Sequence, residues 1–176
     1  FKDANVRFRR FGDNQDSAES RFVASTRFDA PIQDEIIKTE FSIDYIGGSF
    51  AQSFNSEEEL KYGNIIFGLA PSYQLTQDDL TIDLGVNLVY LNDNENDASK
   101  FYIYPNIEAS YRLVDEILIA YGGIKGDLIQ NSYYDFANEN PFVSPNLFID
   151  ENLLMAPTDQ RYKSFVGIKG KLSNTT

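Results

Sequence analysis

Two long stretches of the chain alternate strictly between apolar and polar positions. In residues 80–90 every even position is apolar, and most of the odd positions between them are polar or glycine. In residues 101–113 every odd position is apolar, and the even positions carry polar, charged or tyrosine side chains. A period of two over such lengths gathers apolar side chains on one face of a strand, which no helix would do. The sequence therefore predicts an all-β chain.

Less regular alternation marks six more segments and gives the chain eight predicted strands. These strands cover residues 6–11, 21–30, 37–45, 62–75, 80–90, 101–113, 116–125 and 163–172. Short connections are expected at residues 31–35, 76–79 and 114–116. Long connections are expected at residues 12–20, 55–61, 92–100 and 126–161. This order of short and long connections predicts an antiparallel up-and-down meander with all long loops at one end. Long strands joined in this way are typical of transmembrane β-barrels.

The vertical position of the aromatic residues supports the same interpretation. On the predicted apolar face, Tyr73 and Tyr111 lie near short turns, and Tyr90 and Phe101 lie near long loops. At roughly 3.3 Å per residue and a tilt near 40°, the span from Phe101 to Tyr111 is about 25 Å. That height matches the apolar band between two aromatic girdles. The alternative is that these aromatic residues fill the core of a soluble protein.

The composition argues against several classes of function. The chain of 176 residues contains no histidine and no cysteine, which excludes a Ser-His-Asp triad, a thiol nucleophile and the usual zinc sites. Asp78 and Asp79 fall in a predicted turn and carry no acid–base signal. A formal net charge of −12 opposes binding to nucleic acid. Residues 92–97 space carboxylates as calcium loops do, but without the glycine and final glutamate of an EF-hand. We expect no enzyme activity, no cofactor and no metal ion.

Two segments near the end of the chain resemble a known family. They are Asn138-Glu139-Asn140-Pro141-Phe142-Val143-Ser144-Pro145, and Ala156-Pro157-Thr158 followed by Tyr162 and residues 165–173. Both are similar to segments of outer-membrane β-barrels of the TonB-dependent-receptor-like class. The resemblance implies an uptake barrel of about 22 strands with an N-terminal plug and a TonB-contacting segment. Neither part is assigned here, and both chain ends have strand-like sequence, so residues 1–176 are expected to form one domain of a longer barrel.

The polar face and the longest loop supply the candidate site residues. The predicted lumen-lining charges are Arg21, Arg27, Glu40, Asp44, Asp83, Glu108 and Arg112. They could form a polar pathway, or they could pair with one another and fill a narrow barrel. The aromatic residues Tyr133, Tyr134, Phe136 and Phe142 could bind a ligand or partner, or could pack within their own loop.

These observations lead to one functional interpretation and one alternative. We expect a cell outer-membrane β-barrel protein of a Gram-negative bacterium, belonging to a nutrient-uptake or outer-membrane assembly complex. Its partners would be the lipid bilayer of the outer membrane and other subunits of that complex, with no nucleic acid. The alternative is a soluble β-rich module that binds a carbohydrate or protein ligand. Pro71 and Pro105 fall inside predicted strands, where we expect local β-bulges.

Overall fold

The computed structural model describes residues 1–14, 16–32, 35–51, 59–95, 97–114, 117–142 and 155–170. Within them the chain forms eight strands and one helix, α1, between β7 and β8. The bounds are β1 Asp3–Gly12, β2 Ala18–Ile32, β3 Glu35–Phe50, β4 Leu60–Gln77, β5 Leu80–Asp93, β6 Ala98–Val114, β7 Leu118–Ile129, α1 Tyr133–Glu139 and β8 Thr158–Gly170. In the described part of the chain, no helix is long and apolar enough to cross a membrane.

The strands form one antiparallel sheet in sequence order, from β1 to β8. This confirms the predicted fold class, an all-β up-and-down meander of about eight strands. Within the described residues β1 and β8 do not pair with each other, so the sheet is open.

Several strands are longer than predicted, at the expense of the long loops. β5 and β6 extend into the predicted loop 92–100 and leave only residues 94–97 between them. The predicted loop 126–161 is corrected as well, since β7 continues to Ile129, α1 follows, and β8 begins at Thr158. Residues 143–154 of that segment, and the end of the last predicted strand at 171–172, lie outside the described residues.

The ladder sorts the side chains onto two faces, because residues directly opposite in neighbouring strands share a face. We call the face that carries α1 the inner face, and it includes Arg21, Asp44 and Ile66. The other is the outer face. Its large exposed hydrophobic side chains run across the sheet: Val6, Phe8, Phe22, Phe41, Ile43, Tyr45, Phe67, Leu75, Leu80, Leu84, Tyr90, Phe101, Ile103, Ile107, Tyr111, Leu113, Tyr162, Val166 and Ile168.

The buried hydrophobic side chains lie on the inner face. They form two clusters, one beneath α1 and one beside it, and the strand residues in them are Ile46, Phe50, Tyr62, Ile66, Val89, Leu91, Tyr104 and Leu128. The face with the most regular apolar alternation is thus exposed, and the face predicted to be polar holds the core. This arrangement is inside out compared with a sheet that buries its apolar face in a soluble core.

The two prolines do not produce the predicted bulges. The β4–β5 ladder has no pair at Pro71 but keeps the same register on both sides of it. Pro105 pairs in register with Val86 of β5. On its other side, the ladder from β6 to β7 begins one residue later, at Asn106, so the missing N–H of Pro105 removes no hydrogen bond from the β6–β7 ladder. The register shifts lie instead between Arg112 and Val114 of β6 and between Lys125 and Asp127 of β7.

Candidate functional site

The helix α1 is placed by a local signal at its start. Ser132 has an extended backbone and its side chain accepts a hydrogen bond from the backbone N–H of Asp135, which caps the first turn. Asp135 also brings a carboxylate to the positive end of the short helix. The helix ends at Glu139. The cap thus holds Ser132 and Asp135 together, on the side that meets the sheet.

The helix is fixed to the inner face by a polar group that we call the anchoring cluster: Arg9, Glu19, Arg21, Asp44, Ser132 and Asp135. Glu19 is at its centre and is 1% exposed. One of its carboxylate oxygens accepts from the Ser132 hydroxyl at 2.7 Å, and the other accepts from the Tyr133 backbone N–H at 2.6 Å and the Tyr62 hydroxyl at 2.8 Å. A carboxylate so deeply buried is tolerated because these donors and Arg9 replace its water.

Two arginines join the helix to the first strands. Arg9 donates to Asp135 at 3.2 Å and to the Ser132 hydroxyl at 2.6 Å, and its guanidinium lies 3.9 Å from the centre of the Tyr134 ring. Arg21 donates to both oxygens of Asp44, at 2.9 and 2.6 Å, and to Asp135 at 3.2 Å. Asp135 therefore bridges two arginines from neighbouring strands. The anchoring cluster holds the β7–β8 segment across the inner face of β1 to β3.

The four aromatic residues predicted for the long loop have different environments. Tyr133 is 4% exposed and packs edge-on against Phe50. Burial, together with its hydrogen bond to the Asp13 carboxylate, raises the pKa of Tyr133 to about 12. Tyr134 packs against Phe11 and Arg9, and Phe136 packs on the buried cluster beneath α1. Phe142 is 93% exposed. Three of the four thus pack against the sheet.

The seven predicted lumen-lining charges all lie on the inner face, where Arg27 is directly opposite Glu40 and Asp83 is directly opposite Glu108. Arg21 and Asp44 form the tight pair of the anchoring cluster. Arg27 contacts Asp3 at 3.0 Å and Glu40 at 3.9 Å, and Glu108 pairs with Lys125 at 2.8 Å. Arg112 lies near the short β4–β5 turn, 3.7 Å from Asp79. Asp83 lies opposite Gln74 and Glu108. The charges are therefore divided among several ion pairs along the height of the sheet and do not form one centre.

Sequence reasoning did not find the residues that connect these charges to the helix. Glu19 is two positions before Arg21 in β2, and the same alternation that selected Arg21 would have placed it on the inner face. Ser132 and Asp135 form the S-x-x-D pattern that precedes many helices, and that pattern was available in the sequence. Tyr62 gives no comparable signal, because its role depends on the β3–β4 register that puts it opposite Gly48.

The contacts of the anchoring cluster join α1 to the inner face of the sheet. Among the described residues, no group of three or more His, Cys, Asp or Glu side chains could hold a metal ion. No protein-family model, curated protein sequence or solved structure matches this chain significantly.

Proposed function

We propose that this chain is a membrane-embedded part of an outer-membrane β-barrel, acting in nutrient uptake or in an outer-membrane assembly complex. The observation that carries the proposal is the reversal of the two faces. The outer face exposes hydrophobic side chains from β1 to β8, whereas the buried strand side chains lie on the inner face. Contiguous apolar surfaces of this kind mark contact with another apolar phase. Lipid is the phase that a broad, continuous sheet face fits best.

The outer face also carries a row of aromatic side chains near the long connections. Phe8 pairs with Phe22 and Phe22 with Tyr45, and further along the row Tyr90 pairs with both Phe67 and Phe101. Aromatic side chains at one height across neighbouring strands are typical of the girdle at a membrane interface. The row supports an orientation with the strand axes across the bilayer. In the proposed orientation, α1 and the long connections lie at the same end of the barrel.

The two edges of the sheet support a larger barrel. Unpaired backbone N–H and C=O groups cost several kcal/mol each in lipid, so a spanning sheet must pair both of its edges. The interior of a closed eight-stranded barrel is filled by side chains. Here the side chains of Arg27 and Arg161 lie on the inner face and are 62% and 74% exposed, so they do not pack into a filled interior of that kind. We propose that further strands pair with β1 and β8, and that the anchoring cluster holds α1 as a constriction inside the lumen.

Extraction from membranes tests the proposal directly. We expect the native protein in the membrane fraction, resistant to alkaline carbonate and to urea, and released by detergent. A protein recovered in the aqueous fraction without detergent would overturn the proposal. It would favour the soluble binding module, whose outer face would then need another protein surface to cover it.

A further inference from the structure

A cavity of about 260 Å³ lies on the inner face near the long connections. Its walls come from the start of β4, the β5–β6 hairpin, and Ala156 and Pro157 at the entry to β8. Asn131 donates to the Ala156 carbonyl at 2.6 Å, which ties this side of the cavity to the residue just before the cap of α1. Its volume is below the range of drug-sized sites and suits a single small ring.

The wall contains a buried amide group whose oxygen has no partner. Asn64 is 5% exposed, and within the described residues its Oδ1 accepts no hydrogen bond. A buried acceptor left unsatisfied costs about 1–3 kcal/mol. Asn64 lines the cavity, so a ligand that donates a hydrogen bond to this oxygen after a small rotation of the amide would remove that cost. The cavity is therefore matched to a ligand with hydroxyl or amine donors.

Charges of both signs line the cavity. Lys61 and Lys100 line it together with Asp93 and Glu95, and Lys61 also pairs with Glu59 at 3.5 Å. Charges of mixed sign leave no strong field that would select an anion or a cation. Lysines supply donors and carboxylates supply acceptors, and a hydroxyl group can pair with either. A ligand with several hydroxyl groups can use all of these at once.

Two tyrosines line the cavity. Tyr62 is 3% exposed and is fixed because its hydroxyl donates to Glu19. Tyr102 is half-buried and supplies the more open ring, which stacks on Tyr104 with ring centres 5.9 Å apart. An aromatic ring combined with a few polar groups is typical of small-ligand sites. We propose that this cavity binds one ring of a neutral carbohydrate. The inference rests on the proposed function and extends it, because it names the class of ligand that would bind at the mouth of the barrel.

The test measures binding to the native protein in lauryldimethylamine oxide, a detergent without a sugar group. The probes are methyl α-glucopyranoside, methyl β-galactopyranoside and, as a zwitterion of similar size, glycylglycine. Binding is monitored by ligand-observed NMR. We expect saturable binding of at least one hexoside, and we expect its affinity to depend little on salt concentration. Asn64→Leu should weaken that binding about tenfold, the equivalent of one hydrogen bond of 1.4 kcal/mol.

Matched variants separate this site from others. Asn106→Leu removes a half-buried asparagine from the same face outside this cavity, and it should leave hexoside affinity within about twofold of the wild type. Ala98→Trp places a bulky side chain at the exposed rim of the cavity and should block binding. This second variant keeps the test valid if Asn64→Leu does not fold.

Four results would overturn the inference: no saturable hexoside binding, hexoside binding that survives both Asn64→Leu and Ala98→Trp, equal loss with Asn106→Leu, or selective binding of glycylglycine. Failure of the proposed function is seen separately, as release of the protein without detergent. Loss of hexoside binding in a protein that still needs detergent for extraction would count against the carbohydrate inference alone.

Discussion

An arginine at Leu84 tests the central claim that the outer face contacts lipid. Leu84 is 42% exposed and is opposite Ile107 in the ladder. The midpoint of the span from Phe101 to Tyr111 is residue 106, which pairs with Gly85, so Leu84 lies near the middle of the proposed apolar band. An arginine at the midplane of a transmembrane barrel costs about 2–4 kcal/mol. The corresponding fall in the folded-to-unfolded ratio is about 30-fold to 900-fold.

The same substitution would have little effect if the face were in water. Exposed positions away from special features tolerate substitution within about 0.5 kcal/mol. Leu80 provides a matched control because it is on the same strand and face, is 37% exposed, and lies next to the short turn. Four residues at roughly 3.3 Å and a tilt near 40° place it about 10 Å closer to the interface, where an arginine costs about 0–1 kcal/mol.

The assay is urea unfolding of the native protein reconstituted in phospholipid vesicles, followed by far-ultraviolet circular dichroism. We expect Leu84→Arg to lower the free energy of unfolding by about 2–4 kcal/mol and Leu80→Arg by no more than about 1 kcal/mol. Equal and small effects at the two positions would refute the argument. A large effect of both variants on a protein that unfolds identically without lipid would place this face in a protein core.

Three further predictions concern the helix and the loops. Glu19→Gln removes the buried charge of the anchoring cluster and should weaken docking of α1 by about 2–3 kcal/mol, measured as faster hydrogen exchange of the α1 amides. The exposed control Asp3→Asn should change the docking free energy by less than about 0.5 kcal/mol. Unchanged exchange in Glu19→Gln would contradict the anchoring role. The folded-state pKa of Tyr133, about 12, is above its ordinary value of 10.0, so the folded state keeps this proton longer than the unfolded state. The stability that this proton contributes is present below pH 10 and is lost as the pH rises through 12. An ultraviolet titration of tyrosine ionisation should show a late step that is missing in Tyr133→Phe. An identical titration curve in the variant would exclude Tyr133 as the source of that step. Chymotrypsin added to intact cells should cut at Phe142, which is 93% exposed, and spare Leu75 near the short β4–β5 turn. Cleavage only at Leu75 would indicate the opposite orientation in the membrane.

The sequence by itself determined the strands and the distribution of side chains between two faces. Alternation in residues 80–90 and 101–113 identified β5 and β6, because a period of two has only one regular backbone that satisfies it. The alternation of short and long connections determined the meander, since an antiparallel hairpin is the simplest way to join neighbouring strands by a tight turn. The same alternation between even and odd positions in each strand correctly predicted that all seven charges lie on one face of the sheet.

Tertiary structure decided which side chains meet and which face holds the core. The contacts of Glu19 with Tyr62, Ser132 and Tyr133 join positions 43, 113 and 114 residues apart, and no local pattern encodes such distances. The prolines show the same limit, because whether a missing N–H causes a bulge depends on what lies opposite it in the ladder. The register of β3 and β4, and the return of α1 across the inner face, buried a carboxylate that the sequence presents as one more polar residue. Burial is a property of the whole packed chain, so only the folded molecule could show it.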